Sequence, residues 1–185
     1  MRINSKIILL CLCLIYCLFR SIYGQIPEKF DLRDVNGKNF VTSVKRQEGG
    51  TCWAHGALAA IEGNLIISGL WNSIEDTSNP EFSEPSLAEY HLDWWNGFNT
   101  DWNPDIPYPD KGVTVHEGGN YRMVAAYITR LDGPVREVDG QSYFTPPKKN
   151  DQGYRVYFPS DIVWYSVGDD ESMLDTIKRN LMLNG

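Results

Sequence analysis

Outside its first 24 residues the chain holds a single cysteine, Cys52. It has three histidines, His55, His91 and His116, and none after the last of these. One cysteine excludes an internal disulfide framework in that part of the chain. The scattered histidines, with no Cys, Asp or Glu at ligand spacing beside them, give no metal site, and no cofactor is expected. A stripe of basic residues is also missing, which argues against nucleic acid as a partner. No apolar run reaches the roughly 18 residues expected of a membrane-spanning helix. Internal repeats and low-complexity segments are absent too.

The longest apolar run is Ile7–Phe19, 13 residues between Arg2 and Lys6 on one side and Arg20 on the other. A basic head and a short apolar core predict a signal peptide over residues 1–24, cut after Gly24. An uncleaved anchor is the alternative. A lipidated Cys17 is weaker, because Tyr16 before it is not small. The expected product is exported, secreted or periplasmic, without stable membrane association. Losing three cations and no anions takes the net charge from −7 to −10. Cys11, Cys13 and Cys17 leave with that segment. The remaining thiol is then paired between molecules, inert and buried, or reactive.

Its surroundings favour reactivity. Gln47-Glu48-Gly49-Gly50-Thr51 is a polar, glycine-bearing turn, and a helix is predicted from Cys52 onward. Trp53, Ala57, Ile61 and Leu65 recur every four residues, the spacing of a buried stripe. Gly69 supplies the stop. Cys52 thus falls in the first turn, where unpaired N–H groups and the helix dipole favour the thiolate.

Elsewhere Phe40–Val44 reads as a short strand and 71–81 as loop. A second helix should start near Ser83, with Leu87, Tyr90, His91 and Trp94 on its spacing, and end at Gly97. Residues 98–112 are irregular; Asp101, Asp105 and Asp110 lack calcium-loop spacing and read as a solvated loop. A third helix is expected over 120–131, with Met123, Tyr127 and Leu131 on one face, then a crossing loop over 135–151. Two strands at 154–158 and 162–167 precede a last helix, 171–183, capped by Asp169 or Asp170, whose Leu174, Ile177 and Leu181 need a partner surface.

The stretch from Gln47 to Gly63 resembles the active-site signature of papain-like cysteine peptidases. Ile26-Pro27-Glu28-Lys29-Phe30-Asp31-Leu32-Arg33 looks like that family's mature N-terminus. Phe82-Ser83-Glu84-Pro85-Ser86-Leu87 is similar to the start of its second helix, and Glu117-Gly118-Gly119 to its paired-glycine substrate rim. The resemblance implies an α+β, two-lobe fold with a cleft between the lobes. The helical lobe would span 25–150, and the β-rich lobe would be present only in part, at 151–185. It implies a peptidase acting on peptide or protein through a thioester. Cys52 would be the nucleophile, and Gln47 would lend a side-chain donor to the oxyanion hole. Gly118 and Gly119 would line the cleft, a plain turn being the alternative. Trp53 would be a core wedge.

Three departures stand out. Gly49-Gly50 replaces the turn that normally carries a second cysteine. The cysteine that bonds to it, near the glycine pair, is missing as well, with His116 or Glu117 in its place. The family's histidine base lies about 130–150 residues beyond the cysteine, and the last residues here, Met182-Leu183-Asn184-Gly185, hold none. The chain is therefore expected to be C-terminally truncated, with a missing segment as partner, and poorly active alone unless His116 or His55 substitutes. His91 reads as a core histidine. The rival readings are a non-catalytic peptide-binding homologue and an exported structural or adhesive module using the aromatic segment 90–102.

Overall fold

The structure, a computed structural model, describes residues 26–102, 112–165 and 173–185. The expected signal peptide, Asp105, Asp110, the caps at Asp169 and Asp170 and the end of the 162–167 strand lie outside the described residues.

Helix α1 is Cys52–Ile67. Its fully buried line is Ala54, Leu58, Glu62 and Leu65, while Trp53, Ala57 and Ile61 form a partly buried shoulder. The inward face is thus turned from the line expected from apolar spacing alone. The cause is Glu62, a carboxylate that points inward to meet Lys45, so apolar periodicity could not count it. Gly69, at φ +68°, ends the helix as expected, with Ser68 N–H on Asn64 O and Gly69 N–H on Ile66 O. Positive φ at the residue closing a helix is the conformation glycine adopts without strain.

The stretch expected as loop after α1 contains helix α2, Leu70–Ile74, and a 3-10 turn, Pro80–Phe82. Trp71 explains α2: it is buried in the core and its indole N–H donates to Phe82 O at 2.8 Å. Asn79 caps the following turn at Glu81 N.

Helix α3, Glu89–Trp95, starts six residues later than expected. Pro85 disfavours helical backbone before it. The next N–H groups are then taken by tertiary partners, Leu87 N by Glu62 Oε1 and Ala88 N by Val135 O, both near 2.9 Å. The helix is buried along Glu89, Tyr90, His91, Leu92 and Asp93, and Gly97 follows it at φ +84°.

Helix α4, Tyr121–Thr129, is capped by Asn120, whose side chain accepts from Arg122 N. Met123 and Tyr127 face inward as expected; Leu131 does not, standing past the helix end, 61% exposed at φ +63°. A short helix α5, Glu137–Gly140, lies in the expected crossing loop, and α6 is Leu174–Asn184. No residue of α6 is buried, and its end touches α1 through Asn64 Nδ2 on Asn184 O.

The strand predictions fail among the described residues. Only isolated bridges occur, including Leu87 with Arg136 and Val135 with Val156. At 40–44 side chains take up backbone groups: Asn39 Oδ1 accepts from Val41 N, its amide donates to Val41 O, and the distant Glu84 accepts from Ser43 N. At 154–158 the alternation reports a half-buried segment lying on helices. Tyr157 joins the same core as Leu58, Trp71, Leu92 and Tyr127.

Two buried ion networks tie these elements together. Lys45 Nζ reaches Glu62 at 2.5 Å and Glu89 at 2.8 Å, and both carboxylates are almost fully buried. Burial opposes the Lys45 ammonium, but the charges of Glu89 and Glu62 outweigh it and hold its pKa above the ordinary value. Glu75 collects Arg136, Arg155 and the Tyr157 hydroxyl, the last at 2.5 Å. No described helix is long and apolar enough to cross a membrane.

Candidate active site

Cys52 is exposed, unpaired and the first residue of α1. Thr51 precedes it, fully buried, and uses its hydroxyl on Glu48 O rather than as a helix cap. The Cys52 N–H belongs to the first turn, ahead of the Ala54 and His55 N–H groups that donate to Thr51 O. The thiol opens onto a groove of ≈ 980 Å³. Its walls are α1 from Cys52 to Ala60, α4 from Tyr121 to Ile128, and the extended segment 162–165. The lining is mostly apolar, with Trp164 against Tyr121 at 4.9 Å and Arg122 at the edge.

The turn before the thiol and the glycine pair come together. Gly50 N–H donates to His116 O at 2.5 Å. A Cβ at Gly50 would stand 2.9 Å from Gly118 N, so the two backbones touch only because residue 50 is glycine. The paired glycines have different reasons. Gly118 sits at φ +135° with open space where a side chain would go. Gly119 packs against the Trp53 indole. Neither glycine is among the residues that line the groove. Gln47 is exposed, and its amide donates to Gly49 O at 2.8 Å, so one of its N–H groups braces the turn.

The histidines have separate places. His91 is fully buried; its Nδ1 faces the Tyr127 hydroxyl at 2.6 Å and its Nε2 faces the carbonyls of Lys148 and Lys149. Two carbonyls require a donor at Nε2, so the ring is the neutral tautomer that accepts from Tyr127. Burial, the larger effect, lowers its pKa against the help of those carbonyls. His55 puts Nδ1 on Thr51 O at 3.0 Å and borders a different cavity, of ≈ 590 Å³, with Tyr90, Glu48 and Tyr143. His116 uses both ring nitrogens, Nδ1 on Asp93 at 2.6 Å and Nε2 on Tyr143 O at 2.8 Å. None of the three borders the Cys52 groove. Among the described residues no group of three His, Cys, Asp or Glu could hold a metal ion.

Residues 26–85 match the family model described as papain family cysteine protease. That segment is papain-like. It contains Gln47, Cys52 and all of α1, and it stops before α3, His116 and the glycine pair. The helix-rich, strand-poor architecture is compatible with the helical lobe of that family. Sequence patterning had no signal for Asp93, whose side chain is 1% exposed and takes both the backbone N–H and the ring of His116. A buried aspartate inside an apolar helical pattern looks like any solvated position until its partner is seen.

Proposed function

We propose that this chain is the nucleophile-bearing helical lobe of an exported cysteine peptidase. The observation that carries the reading is Cys52, exposed at the first position of α1 and opening onto an apolar groove, inside a papain-like segment. In the intended reaction the Cys52 sulfur attacks a peptide carbonyl. The Cys52 N–H and the second amide hydrogen of Gln47 are the donors for the oxyanion, a placement worth ~3 kcal/mol when well aimed. The amine leaves with a proton, giving a thioester that water then opens. Gly118 and Gly119 hold the rim on which a substrate backbone rests.

Among the described residues that border the groove there is no histidine to give the leaving amine its proton. His91 and His116 have both ring nitrogens engaged, and His55 borders another cavity. Loss of general acid–base help costs ~10² to 10⁴ in rate. The imidazole is therefore supplied by a partner segment in cis or in trans, and neither His55 nor His116 substitutes. Residues 1–24 act as the export signal. The test is turnover of a fluorogenic peptide by the 185-residue chain beside Cys52→Ala. Negligible turnover by both, with Cys52 alkylated in the native state, is expected; turnover lost in Cys52→Ala would show a base within the chain and overturn the second half of the proposal.

A second reading has its own observation. The same base-free groove, with aromatic walls at Tyr121 and Trp164, suits a protein that binds peptide without cutting it. Undiminished peptide binding by Cys52→Ser, and no gain of turnover with any added segment, would favour it. The adhesive reading loses ground on packing: Trp94 and Trp95 in the aromatic segment donate inward to Ser142 O and Pro147 O.

A further inference from the structure

The turn ahead of Cys52 is fastened from outside the papain-like segment. Glu48 N–H donates to the Tyr90 hydroxyl at 3.0 Å, and Gly50 N–H to His116 O. His116 is itself fixed three times. Its backbone N–H donates to Asp93 Oδ2 at 2.9 Å, its Nδ1 lies 2.6 Å from the same oxygen, and its Nε2 lies 2.8 Å from Tyr143 O. The ring stacks on Tyr143 at 4.0 Å and meets Tyr90 and Trp94 edge-on. Its backbone lies at φ +68°, a conformation uncommon for a residue with a Cβ. Asp93 is buried, and a buried carboxylate is costly without a charged or hydrogen-bonding partner.

We propose that His116 and Asp93 are positioning residues, a hydrogen-bonded clasp that fixes the Cys52 turn against the Gly118–Gly119 rim without a covalent cross-link. Both ring nitrogens face oxygen atoms, the Asp93 carboxylate on one side and the Tyr143 carbonyl on the other. The titratable groups around the ring are Asp93 and Tyr90 from α3 and Tyr143 from the loop after α5. His55 of α1 lies against Tyr90 at 5.9 Å and also acts on Asp93 electrostatically. The functional half of the proposal rests on Cys52 being the nucleophile; the structural half does not.

The test uses the full chain with His116→Asn, which tolerates positive φ, Asp93→Asn, which keeps the shape and removes the charge, the double variant, and Tyr157→Phe as a remote destabilised control. Amide exchange at Glu48 and Gly50 reads the clasp, and the pH profile of Cys52 alkylation by iodoacetamide reads its effect on the thiol. Each single variant should speed exchange at both amides by about tenfold or more, the double variant adding little to either. Both singles should move the alkylation profile in parallel, and Tyr157→Phe should do neither. Unchanged exchange in Asp93→Asn, or an equal change in Tyr157→Phe, overturns the clasp. If neither single folds, wild-type exchange decides, and protection at Glu48 and Gly50 no greater than at exposed loop amides overturns it. Altered exchange with a wild-type Cys52 no faster than free cysteine overturns the nucleophile reading and leaves the clasp standing.

Discussion

Gly119 lies flat against Trp53: a Cβ at position 119 would stand 2.2 Å from the indole Cε2. The first residue after the thiol and the second glycine of the rim are thus in direct contact, so the ring helps set the distance between the two sides of the site. Gly119→Ala must displace the indole, and overpacking of this kind costs about 1–3 kcal/mol. Gly118→Ala meets open space and carries only backbone strain, so its loss should be the smaller. Melting temperatures of the two variants, with tryptophan fluorescence to follow Trp53, check the order; an equal or reversed order would mean that the ring moves aside freely.

Cys52 should be modified by iodoacetamide in the native protein at one site, because it is exposed and lies at a helix start. Mass spectrometry before and after denaturation settles this. Cys52→Ser should leave the melting temperature within the scatter of surface substitutions, about ±0.5 kcal/mol. Protection until denaturation would contradict the exposure.

Lys45→Met strips the shared cation from Glu62 and Glu89. Breaking a buried pair by removing one partner costs ~3–5 kcal/mol, since the remaining charge is left uncompensated. Burial already raises the Glu62 pKa even with Lys45 in place, so the variant should drive that carboxyl toward its neutral form. Denaturant titration at neutral pH and again at mildly acid pH checks this: the deficit of the variant should shrink in acid.

Stability should fall on both sides of neutrality. His91 has a lowered pKa, so below its ordinary 6.5 the unfolded chain takes up a proton that the folded one refuses. That contribution is complete above pH 6.5 and is lost as pH falls toward the folded value. Tyr157, Tyr127 and Lys45 are all raised, the tyrosines mainly by burial, from ordinary values of 10.0, 10.0 and 10.5. Their contribution is complete below those values and declines above them, as the unfolded chain gives up protons the folded one keeps. His91→Gln, which can still accept from Tyr127 and donate to the carbonyls, should flatten the slope below pH 6.5 without changing the alkaline limb.

The thiol turn was legible in the sequence because its signals are local: two glycines, a helix start and a stop at Gly69. The start of α4 near residue 120 and the buried role of His91 were legible for the same reason. The inward face of α1 was not, because Glu62 is polar and its partner lies at Lys45. The late start of α3 was hidden in the same way, since Leu87 N and Ala88 N are claimed by Glu62 and Val135, far along the chain. Strand patterns at 40–44 and 154–158 misled because alternation reports a half-buried face and says nothing of a neighbouring strand. The clasp of His116 and Asp93 had no local signal at all: its parts lie on α3 and on the rim, and only folding brings them together.

Lys45 also decides how the molecule bears load. Ahead of it the lead-in is bonded to itself, by the Phe40 N–H on Leu32 O and by an exposed Arg33–Asp31 pair. At Thr42 and Lys45 the same segment is bolted to Glu62 and Glu89, carboxylates on α1 and α3. Tension applied at the N-terminus would peel the lead-in easily and then stop short of Cys52. The thiol turn is mechanically insulated from whatever precedes it: a tether, a membrane or a fused domain could pull on this end without disturbing the site.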